Sequence, residues 1–315
     1  MAGVVHAVRS LGFAPSLFVS DRSVAALHHP PRTGFAPPFE NLRVEFENRH
    51  GVYWCFMRPR ERPSFTPGLL ADLADMQRGL VGMYSDETPV RYYVLASDLP
   101  GIFNLGGDLT VLADRIRVRD RDSLVRYARA CIDVLYNNAV SFDLPVVTVA
   151  LVQGDALGGG FEAALSCDVI IAEKGVRFGL PEVLFNLFPG MGAYSFLARR
   201  LGAARAEKMI LSGRIYTAEE LHELDVVQIL AEPSMGEQAV RDFIERGRKR
   251  HNAQSGVFRA GRRVTPLSYD ELRDVTEIWV DTALGLGESD LRKMERLTTA
   301  QNRRLSGRPQ LAAAE

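Results

Sequence analysis

The sequence predicts an α/β fold built on a mostly parallel or spiral sheet, and three observations carry that expectation. Strand-like and helix-like segments alternate through the central part of the chain. Val90 to Ala96 reads as a short buried strand, and Pro145 to Val152 as a β-branched apolar run that ends at a glycine motif. Beyond Gly190 the character changes to helices, and the last hundred residues or so are helix-rich.

Taken in order, residues 1–38 hold Pro15, Pro30, Pro31, Pro37 and Pro38 without steady periodicity, which predicts a loosely ordered arm. Leu42, Val44 and Phe46 then alternate with polar residues, Asn48-Arg49-His50-Gly51 supplies turn chemistry, and Val52 to Met57 is apolar and aromatic. Together they predict a β-hairpin. In Ser64-Phe65-Thr66-Pro67, Thr66 is placed as an N-cap and Pro67 as the first residue of a helix leading into Leu69 to Met83. After the strand at Val90 comes a glycine-bearing loop, Gly101 to Asp108, and a charge-rich helical region to about Asn138. Glu162 to Cys167 reads as a helix and Val169 to Ala172 as a further strand. Later helix starts are signalled near Thr217-Ala218-Glu219-Glu220 and near Ser234-Met235-Gly236-Glu237. The expected organisation is a core over 39–232, a helical C-terminal region over 233–304, and a flexible tail over 305–315.

Composition narrows the function classes. A chain of 315 residues with 46% hydrophobic content can build a large core. Its 38 basic and 39 acidic residues leave a formal charge of −1, which gives no global electrostatic case for nucleic acid or an anionic membrane. Cys55, Cys131 and Cys167 are an odd set without Cys-x-x-Cys spacing, so neither a disulfide framework nor a metal site is indicated. With no signal-like N-terminus and no run of 18 apolar residues, the expectation is a soluble, cytoplasmic protein.

Two glutamates twenty positions apart carry the chemistry. Glu162 closes Gly158-Gly159-Gly160-Phe161-Glu162, and Glu182 closes Phe178-Gly179-Leu180-Pro181-Glu182. Burial among Phe161, Phe178, Leu180 and Pro181 would raise at least one carboxyl pKa toward neutrality, where it can carry a proton. The glycine run feeding a helix lets backbone approach a ligand and aims free N–H groups at developing negative charge. A second donor is offered by Phe103-Asn104-Leu105-Gly106-Gly107-Asp108. The oxygen that suits such a two-amide hole is a thioester carbonyl turning into an enolate. One carboxyl would then work at the α-carbon and the other at a β-hydroxyl, or the pair could activate water against the thioester.

These residues resemble the crotonase (enoyl-CoA hydratase/isomerase) superfamily. The likeness rests on Ala156-Leu157-Gly158-Gly159-Gly160-Phe161-Glu162, Asp168, Phe178 to Glu182 and Pro189-Gly190-Met191-Gly192, and runs from about Leu42 to Leu230. Within that superfamily, Phe103 to Asp108, the segment Arg58-Pro59-Arg60 to Phe65-Thr66-Pro67 and the long helical C-terminus resemble the diffusible signal factor synthases of bacterial quorum sensing. The resemblance implies a crotonase-like spiral of ββα units with a helical C-terminal region, the acid/base pair on Glu162 and Glu182, and oxyanion amides on Gly159 and Gly107. It implies a dehydratase and thioesterase acting on a 3-hydroxyacyl carrier protein to give a cis-2-unsaturated free fatty acid. No cofactor or metal is implied beyond the phosphopantetheine or CoA that carries the substrate. It also implies trimers or paired trimers and a sensor histidine kinase as a partner. Trp279 and Leu297 are the candidates for an acyl pocket, with ordinary helix packing as their alternative.

An ordinary enoyl-CoA hydratase, or a catalytically weak module that binds the sensor kinase, remain the competing readings. Gly190-Met191-Gly192-Ala193-Tyr194-Ser195 imitates a dinucleotide fingerprint but lacks the third glycine, and no serine-hydrolase elbow or zincin pair occurs. His222 is placed on a helix surface. Arg115, Arg117, Arg119, Arg121, Arg126 and Arg129 form a basic run that would either be solvated or receive the phosphate of a carrier.

Overall fold

The computed structural model describes residues 39–306 apart from 86 and 88, so the expected N-terminal arm lies outside the described residues. The chain begins with the strands β1 (Leu42–Glu47) and β2 (Val52–Met57), helix α1 (Pro67–Met83), then β3 (Tyr92–Ser97) and β4 (Ile102–Asn104). Helices α2 (Leu109–Arg117) and α3 (Arg121–Ala139) lead to β5 (Val147–Val152), β6 (Asp155–Leu157), α4 (Gly159–Leu165), β7 (Val169–Glu173) and β8 (Arg177–Gly179). Next come α5 (Ala193–Leu201), α6 (Ala203–Ser212), β9 (Ile215–Thr217), α7 (Ala218–Glu223) and β10 (Ile229–Ala231). Four helices follow: α8 (Gly236–Gly247), α9 (His251–Val264), α10 (Tyr269–Leu284) and α11 (Glu288–Ser306).

The strands form two sheets, one in the order β1-β2-β3-β5-β7-β10 and a smaller one in the order β4-β6-β8-β9. The expected opening hairpin is present, with β1 antiparallel to β2, and every later pairing in the large sheet is parallel. Its inner strands are buried on both faces, which is why they read as unbroken apolar runs. One face packs Cys55, Tyr93, Ala150 and Ile170 toward α1, α3 and α5; the other packs Trp54, Val94, Val149 and Ile171 under Val240 and Ile244 of α8. Local signals behave as their chemistry dictates. Thr66 Oγ1 accepts from Leu69 N at 3.2 Å with Pro67 at the helix start, and Thr217 with Glu220 closes a full capping box on α7.

Several details differ from the sequence reading. Residues Gly101 to Asp108 contain the short strand β4, and β9 and β10 lie in the part of the core beyond Gly190 where only helices were signalled. Strands of three residues carry too few apolar positions to show a period. Ser234 does not cap α8: Met235 stands at the N-cap without a side-chain bond, while Ser234 has φ 65°. α11 continues to Ser306, two residues into the segment expected as a tail.

The basic run is structural. Arg117 pairs with Glu288 and Glu295 at 3.2 and 2.6 Å, Arg121 with Glu277 and Asp281 at 2.9 and 3.1 Å, and Arg129 with Glu277 at 3.0 Å. Arg119 donates to Leu284 O, Arg126 to Ser123 Oγ, and Arg115 faces Asp120. Arg117, Arg119, Arg121 and Arg129 therefore tie α10 and α11 onto the α2–α3 segment, a use of the run that the sequence reading did not weigh. Beneath these pairs, Leu112 and Ile116 of α2 meet Trp279, Val280, Leu291 and Met294 in a separate apolar cluster. Among the described residues no helix is long and apolar enough to cross a membrane.

An open cleft lies between α5 and α9, and its floor is held by ion pairs. Arg199 forks onto Glu271, Arg200 donates to the carbonyls of Leu165 and Cys167, and Arg262 meets Asp168 at 2.5 Å. Asp168 also accepts from Thr148 N at 3.1 Å and Ser141 Oγ at 3.2 Å, which welds α9 to the start of β5 and β7. Removing this carboxylate strands three donors. Asp168→Ala should therefore lower stability by about 2–3 kcal/mol, measured as a smaller midpoint in urea at unchanged slope.

Candidate active site

Three strands of the small sheet aim at one place. β4, β6 and β8 run parallel, so their C-terminal ends open on the same side. Out of β4 comes the turn Leu105–Asp108, out of β6 come Gly158 and the first turn of α4, and out of β8 comes the 3₁₀ turn Pro181–Phe185. Those three exits deliver Gly107, Gly159 with Glu162, and Glu182 to a single cavity. Its space is about 450 Å³, counting what is continuous with solvent, and Leu112, Tyr127, Cys131, Phe185, Leu187 and Trp279 make it largely apolar.

Four catalytic and oxyanion candidates thus converge, and Trp279 from α10 closes one end. A Cβ at Gly190 would lie 2.4 Å from the Trp279 ring, so the helix sits directly on the loop after Glu182. Leu297 does not line the cavity. It packs partly buried on the cluster that α2, α3, α10 and α11 form, so its assignment to the pocket wall is corrected.

Gly158 shows why this loop takes no side chain. With φ +53°, it bends the chain between β6 and α4, and a Cβ there would stand 2.5 Å from Glu182 Oε1. Gly159 opens α4, where the first amides of a helix have no intrahelical acceptor, so its N–H is a donor free to meet a ligand oxygen. On the other wall, the Gly106 N–H is already spent on Asn104 Oδ1 at 2.8 Å. Gly107, which lines the cavity, is the donor that remains in that turn.

The two carboxyls have different surroundings. Glu162 is 1% exposed, and its Oε1 accepts from Met191 N at 2.7 Å and from Ala193 N at 2.9 Å. Ala193 begins α5, so this oxygen also faces the positive end of that helix. Burial pushes the Glu162 pKa up to about 7, with the Ala193 and Met191 amides holding it back. Glu182 is half-buried as a residue, yet its Oε2 is shut from water with no hydrogen-bond partner. Burial, and then the charge of Glu162, push the Glu182 pKa up to about 8. Cys131 shares the wall as an inert thiol, its pKa driven up by burial.

The sequence reading missed the amides of Met191 and Ala193. Their signal was the Gly190-Met191-Gly192 motif, set aside as a poor nucleotide fingerprint. Gly192, at φ 118°, turns the chain so that both amides face Glu162. His222 lies exposed on α7, as expected of a helix-surface residue, and its Nδ1 bonds Val227 O at 2.8 Å.

Comparison with known proteins gives the family. The family model described as "Enoyl-CoA hydratase/isomerase" matches residues 52–260. The chain belongs to the enoyl-CoA hydratase/isomerase family. Mitochondrial methylglutaconyl-CoA hydratase of Rattus norvegicus is 31% identical over 226 residues, covering 70% of this chain and 68% of that one. Among solved structures, the enoyl-CoA hydratase of Bacillus halodurans superposes with a TM-score of 0.67 at 23% identity, over 82% of this chain and 99% of the other. A human mitochondrial delta3-delta2-enoyl-CoA isomerase gives a TM-score of 0.67 at 18% identity, over 84% and 99%. The α/β crotonase fold with its helical C-terminal region is therefore present, and with it enoyl-CoA hydratase/isomerase-type activity.

Two predictions follow from the crowding at the carboxyls. Gly158→Ala should displace Glu182 and lower hydration of a 2-enoyl-CoA by at least about 10²-fold in protein that remains folded by circular dichroism. Because both carboxyls bind their protons more tightly in the folded chain than at the ordinary value of 4.5, the folded state holds more protons than the unfolded one. The pair's contribution to stability is then fully present below that ordinary value and is lost as pH rises toward about 7 to 8. In Glu182→Gln the decline should be shallower, read as a urea midpoint that gains on the parent between acidic and mildly alkaline buffer.

Proposed function

We propose that the chain dehydrates a medium-chain 3-hydroxyacyl thioester, carried on acyl carrier protein or CoA, and then hydrolyses the 2-enoyl thioester. The product is a cis-2-unsaturated free fatty acid that serves as a diffusible signal. The observation that carries the reading is the meeting of Glu162 and Glu182 in one apolar cavity with Gly107 and Gly159. The finer part, signal synthesis, is supported by the sequence resemblance and by α10 closing the cavity with Trp279.

In the dehydration, Glu182 takes the proton from C2, Glu162 gives one to the departing C3 hydroxyl, and the C2–C3 double bond forms as water leaves. The enolate oxygen that develops on the way is met by the amides of Gly107 and Gly159. The pair ends with Glu162 ionised and Glu182 protonated, the order that their surroundings favour. Hydrolysis starts from that state. Glu162 draws a proton from water as the oxygen bonds to C1, and Glu182 returns its proton to the leaving thiol.

An ordinary reversible enoyl-CoA hydratase is the second reading, favoured by relatives such as 2,3-dehydroadipyl-CoA hydratase of Escherichia coli, 31% identical over 170 residues. Incubation with a medium-chain 3-hydroxyacyl carrier protein, followed by mass spectrometry, separates the two. Free cis-2-enoic acid is expected; a mixture of hydroxyacyl and enoyl thioesters without free acid assigns the chain to the second reading. Glu162→Gln and Glu182→Gln should each lower dehydration by about 10²- to 10⁴-fold. Full turnover in either folded variant would remove that residue from the mechanism.

A further inference from the structure

The Gly107 amide is a useful donor only if its peptide is held still, and glycine imposes little restraint of its own. Two peptide planes meet at this residue. The first, between Gly106 and Gly107, has its carbonyl fixed: Gly106 O accepts from Phe65 N at 2.8 Å. A trans peptide is planar, so its N–H points opposite to its C=O, and the Gly107 N–H is thereby turned away from the strap 63–66. The second plane, between Gly107 and Asp108, is fixed by a side chain. Asp108 N donates to Tyr127 Oη at 2.8 Å, and the same hydroxyl donates to Phe65 O at 2.7 Å.

Tyr127 projects from α3 and lines the cavity. Burial pushes its phenol far up, so the hydroxyl keeps its proton and can donate to Phe65 while accepting from Asp108. A Cβ at Gly107 would stand 3.5 Å from that hydroxyl, so the two are in contact distance of each other. Other bonds anchor the turn at its ends: Leu105 N to Pro63 O at 2.7 Å, and Arg62 to the Asp108 carboxylate at 2.8 Å. Backbone pairs Phe65 with Gly107 as a parallel bridge, and the Tyr127 hydroxyl joins the Asp108 N–H and the Phe65 carbonyl on its C-terminal side.

We propose that Tyr127 is a positioning residue for the reaction: its hydroxyl clamps the strap 63–66 to the turn 105–108 and so holds the Gly107 amide on the developing enolate oxygen. This rests on the reading of Gly107 and Gly159 as the oxyanion donors. Tyr127 itself touches no reacting atom. Its loss leaves the Asp108 N–H and the Phe65 carbonyl without their shared hydroxyl, and loosens the strap whose Phe65 N–H holds the Gly106–Gly107 peptide.

The test compares Tyr127→Phe with the parent in hydration of crotonyl-CoA. Donor alignment matters most as charge develops, so kcat should fall about 10-fold while KM stays within about twofold, with both limbs of the pH profile unmoved because the glutamates are untouched. The second readout is the carbonyl stretching frequency of bound crotonyl-CoA, taken in the inactive Glu182→Gln background with and without Tyr127→Phe. Tyr127 should shift that frequency to lower values, and Phe should give back part of the shift. An unchanged kcat, or a carbonyl frequency indifferent to the hydroxyl, overturns the proposal while leaving the two-glutamate mechanism in place. Undiminished turnover by Glu182→Gln alone would instead take down the mechanism, and the role of Tyr127 with it.

Discussion

The site depends on a carboxylate held by two main-chain N–H groups inside an apolar wall. Glu162 has one oxygen occupied by the amides of Met191 and Ala193, which leaves only the other to face the cavity. A buried carboxyl without such donors would simply stay protonated. With them, burial and hydrogen bonding oppose each other and leave the group near neutrality. Glu182 lacks this support, and its buried Oε2 has no partner, so it holds its proton more tightly. Two chemically identical side chains therefore differ because two amides of the 191–193 segment reach Glu162, while Glu182 keeps one oxygen unpartnered beside the charge of Glu162.

The backbone reaches Glu162 because of how the chain after β8 is folded. Glu182 leaves the strand on a short 3₁₀ turn, the loop doubles back, and Gly192 passes the chain into α5 with its amides turned inward. Trp279 closes over Gly190 in the same loop, and the arginines of α2 and α3 hold α10 and α11 in place. Exposed ion pairs of this sort contribute little each, about 0–1 kcal/mol, so the apolar cluster under them carries most of the attachment. The cavity thus takes one wall residue, Trp279, from the C-terminal helices, and the rest of its lining from α2, α3 and the exits of the small sheet.

Much of this was legible in the sequence, for identifiable reasons. The opening hairpin, α1 with its Thr66 cap, the inner strands and the capping box at Thr217 are fixed by local chemistry that a single chain displays. The two glutamates and the glycine turns stood out because charge in an apolar, glycine-rich frame has few structural uses. What could not be read were contacts made across long separations. Arg117 to Glu288 spans more than half the chain, Leu297 packs on the cluster of α2, α3, α10 and α11, and Tyr127 bonds two loops that both precede it in sequence. β9 and β10 were missed because strands of three residues are defined by their neighbours. Met191 and Ala193 act through backbone amides, which carry no mark of residue type.

The order of proton affinities bears on why one cavity could serve two reactions. On the proposed reading, elimination of water moves one proton net from Glu162 to Glu182. The pair is then a carboxylate held by amides beside a protonated acid, which is what attack of water on a thioester requires: a base for the water and an acid for the thiol. No proton has to enter from solvent between the steps. Only the acyl group must move, so that C1 instead of C3 faces Glu162, and the freedom for that movement is set by the depth of the apolar end. On that same proposed reading, Trp279, which lines the cavity and rests on Gly190, limits how far the chain can slide toward α10, and cutting the thioester needs no additional catalytic groups.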